Sequence, residues 1–215
     1  MSEPEGSRIV DDVGALRTLH GSPSPGAVTK VIDHVDHHAR AFLERCPFVL
    51  LATRGSGGAD CSPRGDAPGF VRVLDDSTLL IPERPGNRRA DTLVNIIEDP
   101  HIALLALLPG MNETLRVNGR AWIVNDPALL AASAVNGRTP GLGLWIHVEE
   151  LFMHCAKALV RSQLWDADRH IDRASFPTLG RIILDQVRSE ESPAEEAEVR
   201  AVDETLAADA RENLY

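Results

Sequence analysis

Apolar and polar positions alternate through the middle of the chain, and helical spacing dominates only towards its two ends. Residues 48–53 are a short apolar run that predicts a buried strand. Gly55-Ser56-Gly57-Gly58 then predicts a hairpin turn, with residues 59–62 as the returning strand. Residues 70–74 and 78–81 flank Asp75-Asp76-Ser77 and predict a second hairpin. Residues 102–108 read as a central strand. Along residues 114–124, Leu115, Val117, Ala121 and Ile123 face one way and Thr114, Arg116, Asn118, Arg120 and Trp122 the other. Gly119 interrupts that alternation and predicts a bulge or a close backbone approach. Residues 144–152 make a further strand. Helical spacing predicts helices over 11–19, 29–45, 90–97, 126–135, 156–162 and 178–187. Ser192-Pro193-Ala194-Glu195 predicts the start of a last helix over 193–212. Residues 1–7 are polar and read as loose.

Apart from the helices over 90–97 and 126–135, the predicted strands follow one another through turns. That argues for a closed antiparallel barrel rather than a doubly wound parallel sheet. The predicted class is mainly β with peripheral helices. The expected organisation is a barrel domain with N-terminal helices over residues 1–170 and a C-terminal helical extension over 171–215, ending in an acidic helix.

Charge sharpens the picture. The chain has 215 residues and a formal net charge of -10. Between Ser189 and Glu212 nine acids stand against two arginines, so most of that charge sits in this one C-terminal stretch. Nothing resembles the basic stripe of a nucleic-acid binder. The three cysteines are widely spaced, which suits reduced thiols in a cytoplasmic protein. The N-terminus is not a signal peptide, and the longest apolar run is far short of the roughly 20 residues that span a membrane. His34, His37 and His38 are the nearest thing to a metal cluster. No carboxylate or cysteine ligand follows at zinc spacing, and a polar helix face explains them more simply.

The chemistry concentrates before the helix over 90–97. Gly86-Asn87-Arg88-Arg89 puts two cations where the helix dipole disfavours them. Either the pair is solvated surface, or an anion sits between them at the free N–H groups of a helix start. In the second reading Asn87 is the N-cap and Gly86 lets the backbone approach the ligand. Arg64, in Ser62-Pro63-Arg64-Gly65, could add a third positive fork. There is no P-loop, nucleophile elbow or H-E-x-x-H motif, and Gly141-Leu142-Gly143 lacks the third glycine of a dinucleotide fingerprint.

Taken in order, several motifs resemble the pyridoxamine 5'-phosphate oxidase-like FMN-binding split-barrel superfamily. They are Ser62-Pro63-Arg64, Thr78-Leu79-Leu80-Ile81-Pro82, Gly86-Asn87-Arg88-Arg89, Asn95-Ile96-Ile97-Glu98-Asp99-Pro100 and Leu115-Arg116-Val117-Asn118-Gly119-Arg120-Ala121. The likeness is to a bacterial branch of FMN-dependent enzymes. It implies an antiparallel split β-barrel and a homodimer with FMN at the subunit interface. It implies cofactor contacts at Ser62, Pro63, Arg64, Gly65, Ile81, Pro82, Asn87, Arg88, Arg89 and Thr114. It also implies an oxidoreductase acting on a small molecule, or else a non-catalytic flavin-binding sensor, carrier or partner-binding module. Where vitamin B6 oxidases carry a basic C-terminal signature, this chain has Gln163-Leu164-Trp165-Asp166 and an acidic tail. Vitamin B6 oxidation is therefore not expected. His154, Cys155 and Lys157 are the polar candidates nearest the expected site, with Cys155 as a small core residue and His154 as a strand end being the plainer account.

Overall fold

The computed structural model describes residues 9–188 and 192–215. The stretch 1–7, expected to be loose, lies outside them. In chain order the helices are α1 (Val13–His20), α2 (Pro25–Thr29), α3 (His37–Leu43), α4 (Asp91–Glu98), α5 (Pro127–Leu130), α6 (Lys157–Ser162), α7 (Leu179–Val187) and α8 (Glu196–Glu212). The strands are β1 (Phe48–Gly55), β2 (Gly58–Gly65), β3 (Arg72–Asp75), β4 (Thr78–Pro82), β5 (His101–Leu107), β6 (Thr114–Val124) and β7 (Gly143–His154). They form one seven-stranded antiparallel sheet in the order β2-β1-β5-β6-β7-β4-β3.

The sheet curls. Val49 and Leu51 of β1 share one core cluster with Leu79 and Ile81 of β4, although four strand-to-strand steps separate those strands. Such contact requires the inner face to wrap round on itself. Phe42 and Leu43 of α3 and Ile96 of α4 fill the same core. Each large apolar side chain sealed there stabilises the fold by roughly 1.5–3 kcal/mol. The expected closed barrel is open along one seam. Among the described residues β2 pairs only with β1, and β3 only with β4. Pro63 has no N–H to extend a ladder outward and β3 is short, so this edge is poorly suited to pairing. The result is the split antiparallel barrel, mainly β with peripheral helices.

The bulge foreseen at Gly119 is present: the β6–β7 register shifts between Asn118 and Gly119. A Cβ at Gly119 would collide with the His147 carbonyl, so the strand crosses there only with glycine.

Three helix expectations are corrected. Of the helix expected over 29–45 only α3 forms, and α2 ends where that helix was expected to begin. Beyond His147 strand β4 no longer covers β7, and Ile32 pairs with Leu151 on that open edge, Ile32 N to Leu151 O at 3.0 Å and the return bond at 2.7 Å. An extended Ile32 breaks the helix, and Asp36 restarts it by accepting from Ala39 N at 2.8 Å. His34 thus lies outside the helix, beside Asp33 at 3.0 Å, and His37 and His38 stack at the start of α3. Among the described residues no group of three metal-ligating side chains gathers. The last helix starts at Glu196, not Pro193. Glu198, rather than Glu195, turns back to accept from a backbone N–H, that of Glu195, at 3.1 Å. The third is α4, which starts at Asp91 behind a left-handed Ala90 rather than at Ala90 behind an Asn87 cap.

No helix among the described residues is long and apolar enough to cross a membrane. Helices α7 and α8 pack on each other, where Asp203 accepts from Gly180 N at 2.8 Å and Arg181 pairs with Glu196.

Candidate functional site

The seam of the barrel opens into a crevice of about 660 Å³ between β2, the end of β4, the loop after it and the start of α4. That volume lies within the range of small-molecule and cofactor pockets. Side chains on a strand alternate faces, so Asp60, Ser62 and Arg64 form one half-buried row along β2. Ser62 Oγ lies 2.7 Å from the hydroxyl of Thr92, which is buried in the first turn of α4. This bond ties the helix start to the strand.

Four arginines line the crevice, and three of them are already engaged. Arg64 Nε donates to Glu83 Oε2 at 3.2 Å, and its Nη1 donates to Ser62 Oγ and the Pro63 carbonyl, both at 3.0 Å. Arg89 Nε holds Asp91 Oδ2 at 2.8 Å, which pushes the Arg89 guanidinium still higher in basicity. Arg84 Nε holds Asp66 Oδ2 at 2.6 Å. Arg88 has no carboxylate within ion-pair distance among the described residues. The Asp66 side chain is only 2% exposed. Burial alone would raise its pKa, but bonds from Ala67 N, the Tyr215 hydroxyl and Arg84 together hold it below the usual carboxylate range. The Tyr215 hydroxyl donates to Asp66 Oδ1 at 2.9 Å, the Tyr215 ring lies 5.2 Å from the Arg84 guanidinium, and Arg138 donates to the Tyr215 carbonyl at 2.8 Å. The segment after α8 is thereby pinned at the crevice rim.

The loop before α4 is not built as expected. Asn87 is not the N-cap. Its Oδ1 accepts from Arg89 N at 3.0 Å, a side-chain turn that bends the chain ahead of the helix. Ala90 takes the cap position without a side-chain bond, at φ 60°, and Arg88 also lies in the left-handed region at φ 58°. The helix proper begins with Asp91, an acid that suits its positive end. The two arginines therefore precede the first turn rather than occupy it, and the apparent conflict with the helix dipole disappears. A Cβ at Gly86 would meet no protein atom, so packing within the chain does not demand glycine there.

Of the ten expected site residues, eight border this one crevice: Ser62 to Gly65 on β2, Pro82 at the end of β4, and Asn87, Arg88 and Arg89 on the loop. Ile81 and Thr114 do not. Ile81 is sealed in the core, and Thr114 is buried at the start of β6 opposite Leu107 and His154. His154, Cys155 and Lys157 are also away from the crevice. Cys155 is exposed, against its reading as a core residue. Sequence reasoning missed Glu83, Arg84, Asp66 and Tyr215. Asp60 could have been found, because it stands two residues before Ser62 on the same strand face.

Comparison with known proteins follows the same stretch of chain. Residues 35–155, more than half of it, match the family model described as pyridoxamine 5'-phosphate oxidase. No curated protein matches the chain. Among solved structures it is similar to HupZ of Group A Streptococcus, with TM-score 0.46 and 20% identity over 55% of this chain and 93% of that one. It is also similar to General Stress Protein 26 of Bacillus anthracis, with TM-score 0.41 and 14% identity over 53% and 88% of the two chains. A third likeness is to an F420 reductase, with TM-score 0.39 and 21% identity over 54% and 94%. All three likenesses are distant.

Proposed function

The chain belongs to the pyridoxamine 5'-phosphate oxidase family, and from that premise we propose that it is an FMN-binding flavoprotein, an oxidoreductase acting on a small molecule other than a vitamin B6 phosphate. The observation that carries this reading is Arg88, a cation without a carboxylate partner at the mouth of a crevice already lined by the Arg64 fork. A phosphate brings close to two negative charges, and guanidinium donors match its oxygens bidentately. Arg88, Arg89 and Asn87 would hold the phosphate, with Ser62, Pro63, Arg64 and Gly65 beside it on β2. The bound flavin supplies hydride chemistry, which the protein itself lacks. The chain's share is to orient the cofactor and exclude water from it.

A homodimer with the cofactor between subunits is part of the proposal; a stable flavin-loaded monomer in light scattering overturns that part. A second reading, a non-catalytic flavin carrier or sensor, draws on the crevice acids. Glu83 and Asp91 are both held by arginines, which leaves Asp60 as the one crevice acid without an arginine partner among the described residues. Two measurements decide. Flavin fluorescence titration should show FMN bound far more tightly than riboflavin, and equal affinities remove the phosphate site. Photoreduced bound flavin that is reoxidised by a small-molecule acceptor shows turnover, and its failure with every acceptor leaves the carrier.

A further inference from the structure

The crevice does not account for a second gathering of cations on the opposite face of the sheet. Alternation along β6 turns Arg116 outward, and register sets Phe152 of β7 directly opposite it, with His154 one outward position further along. Lys30, just after α2, reaches across and donates from Nζ to the Met153 carbonyl at 2.7 Å. Its ammonium lies 5.1 Å from the centre of the Phe152 ring, the Arg116 guanidinium 5.6 Å from the same centre, and the His154 ring 5.0 Å away. Three basic groups thus converge on one aromatic ring. Cations within about 6 Å of a ring are attracted by it, but two on one ring repel each other.

No carboxylate relieves that repulsion. Among the described residues neither Lys30, Arg116 nor His154 forms an ion pair. Arg116 Nε donates to Asn118 Oδ1 at 3.1 Å, and the nearby acid, Glu150, is taken by the Asn118 amide at 2.7 Å. Among the described residues the terminal nitrogens of Arg116 meet no hydrogen-bond partner, and Lys30 has used one of three donors. The imidazole registers the crowding: burial first, then the Lys30 and Arg116 charges, push its pKa down.

We propose that Lys30, Arg116 and His154, gathered around Phe152 on the outer face of β6 and β7, form a binding site for an oxyanion, a phosphate or carboxylate borne by a small ligand. The site is separate from the crevice and does not depend on the flavin reading. Its donors suit a group with several acceptor oxygens, and the ring suits a flat portion next to that group.

The test uses the full chain with 13C-labelled histidine at fixed pH and ionic strength. The His154 ring signal is identified by its loss in His154→Gln and followed while inorganic phosphate or succinate is added. A saturable shift with either anion is expected, and the tighter of the two names the group. Affinity should fall about tenfold or more in Lys30→Met and in Arg116→Gln, since each removes a charge-assisted donor. It should stay within about twofold of wild type in Arg88→Ala. Lys30 is exposed, so its variant reads binding rather than folding. No saturable shift with either anion overturns the site. So does a shift unaffected by Lys30→Met, or one lost in Arg88→Ala.

Discussion

Four arginines border the crevice and three of them already hold a carboxylate, whereas Lys30, Arg116 and His154 on the outer face hold none. The paired arginines are fixed in place by partners from other elements: Glu83 for Arg64 and Asp66 for Arg84. Their charge is largely cancelled before any ligand arrives. Lys30 and Arg116, without a carboxylate among the described residues, keep their charge for a ligand. Within the crevice the two kinds stand side by side, since Arg89 holds Asp91 and Arg88 does not. Folding and anion binding are therefore carried by different residues, and substitutions should separate them.

The largest effect should come from Arg88. Arg88→Ala should weaken FMN binding about ten- to hundredfold, the worth of one charge-assisted hydrogen bond. The apo melting temperature should hardly move, because Arg88 lies outside the first turn of α4 and makes no ion pair. Arg89→Ala is the matched control. Its exposed pair with Asp91 is screened by solvent and contributes little, and its loss of affinity should be smaller. If Arg89 proves the more important of the two, an existing partner does not disqualify an arginine here and the comparison fails.

A smaller and opposite effect is expected at Glu83. Glu83→Gln releases the Arg64 fork from a largely buried pair, 17% and 23% exposed. FMN affinity should rise about three- to tenfold, while apo stability falls by about 1–2 kcal/mol. Fluorescence titration and apo melting on the same preparation would show both. A fall in affinity would mean that Glu83 orients Arg64 for the ligand rather than competing with it.

The smallest effect concerns the rim. Asp66 has a folded pKa below its unfolded value, so its stabilisation is complete above about pH 3.9 and is lost as pH falls below that. Asp75, Glu98 and Asp99 shift the same way, so all steepen the acid limb together. In Asp66→Asn the dependence of melting temperature on pH below about 4 should be flatter than in wild type, and Tyr215 should be released at every pH. Tyr215 fluorescence anisotropy in a Trp-depleted background follows the release. An unchanged acid limb would show that the Arg84–Asp66–Tyr215 contact adds nothing to stability.

The strands were legible because each needs only its own alternation. The β6 pattern gives inward Leu115, Val117 and Ala121 and the bulge at Gly119 without reference to any other segment. The row Ser62–Arg64 was equally readable. The helix over 29–45 was not, because its interruption at Ile32 depends on an edge of β7 left open by the length of β4, more than 100 residues further on. The cap of α4 was misassigned for a local reason. Asn87 can cap a helix or make a side-chain turn, and a left-handed Ala90 leaves no trace in the sequence. Tyr215 was hidden at the rim for the same reason as Ile32. Asp66 meets Tyr215 at a separation of 149 residues, and no periodicity reports such a meeting.

The left-handed backbone at Arg88 and Ala90 sets a trap for anyone who engineers this protein. Both residues sit where glycine is favoured by roughly 1–2 kcal/mol. A thermostability selection run without ligand will therefore enrich Arg88→Gly and Ala90→Gly. The first would remove the crevice cation that has no carboxylate partner while raising the melting temperature. Selecting in the presence of the cofactor keeps the arginine, and Ala90→Gly is the substitution to make first, since it relaxes the loop without touching a charge.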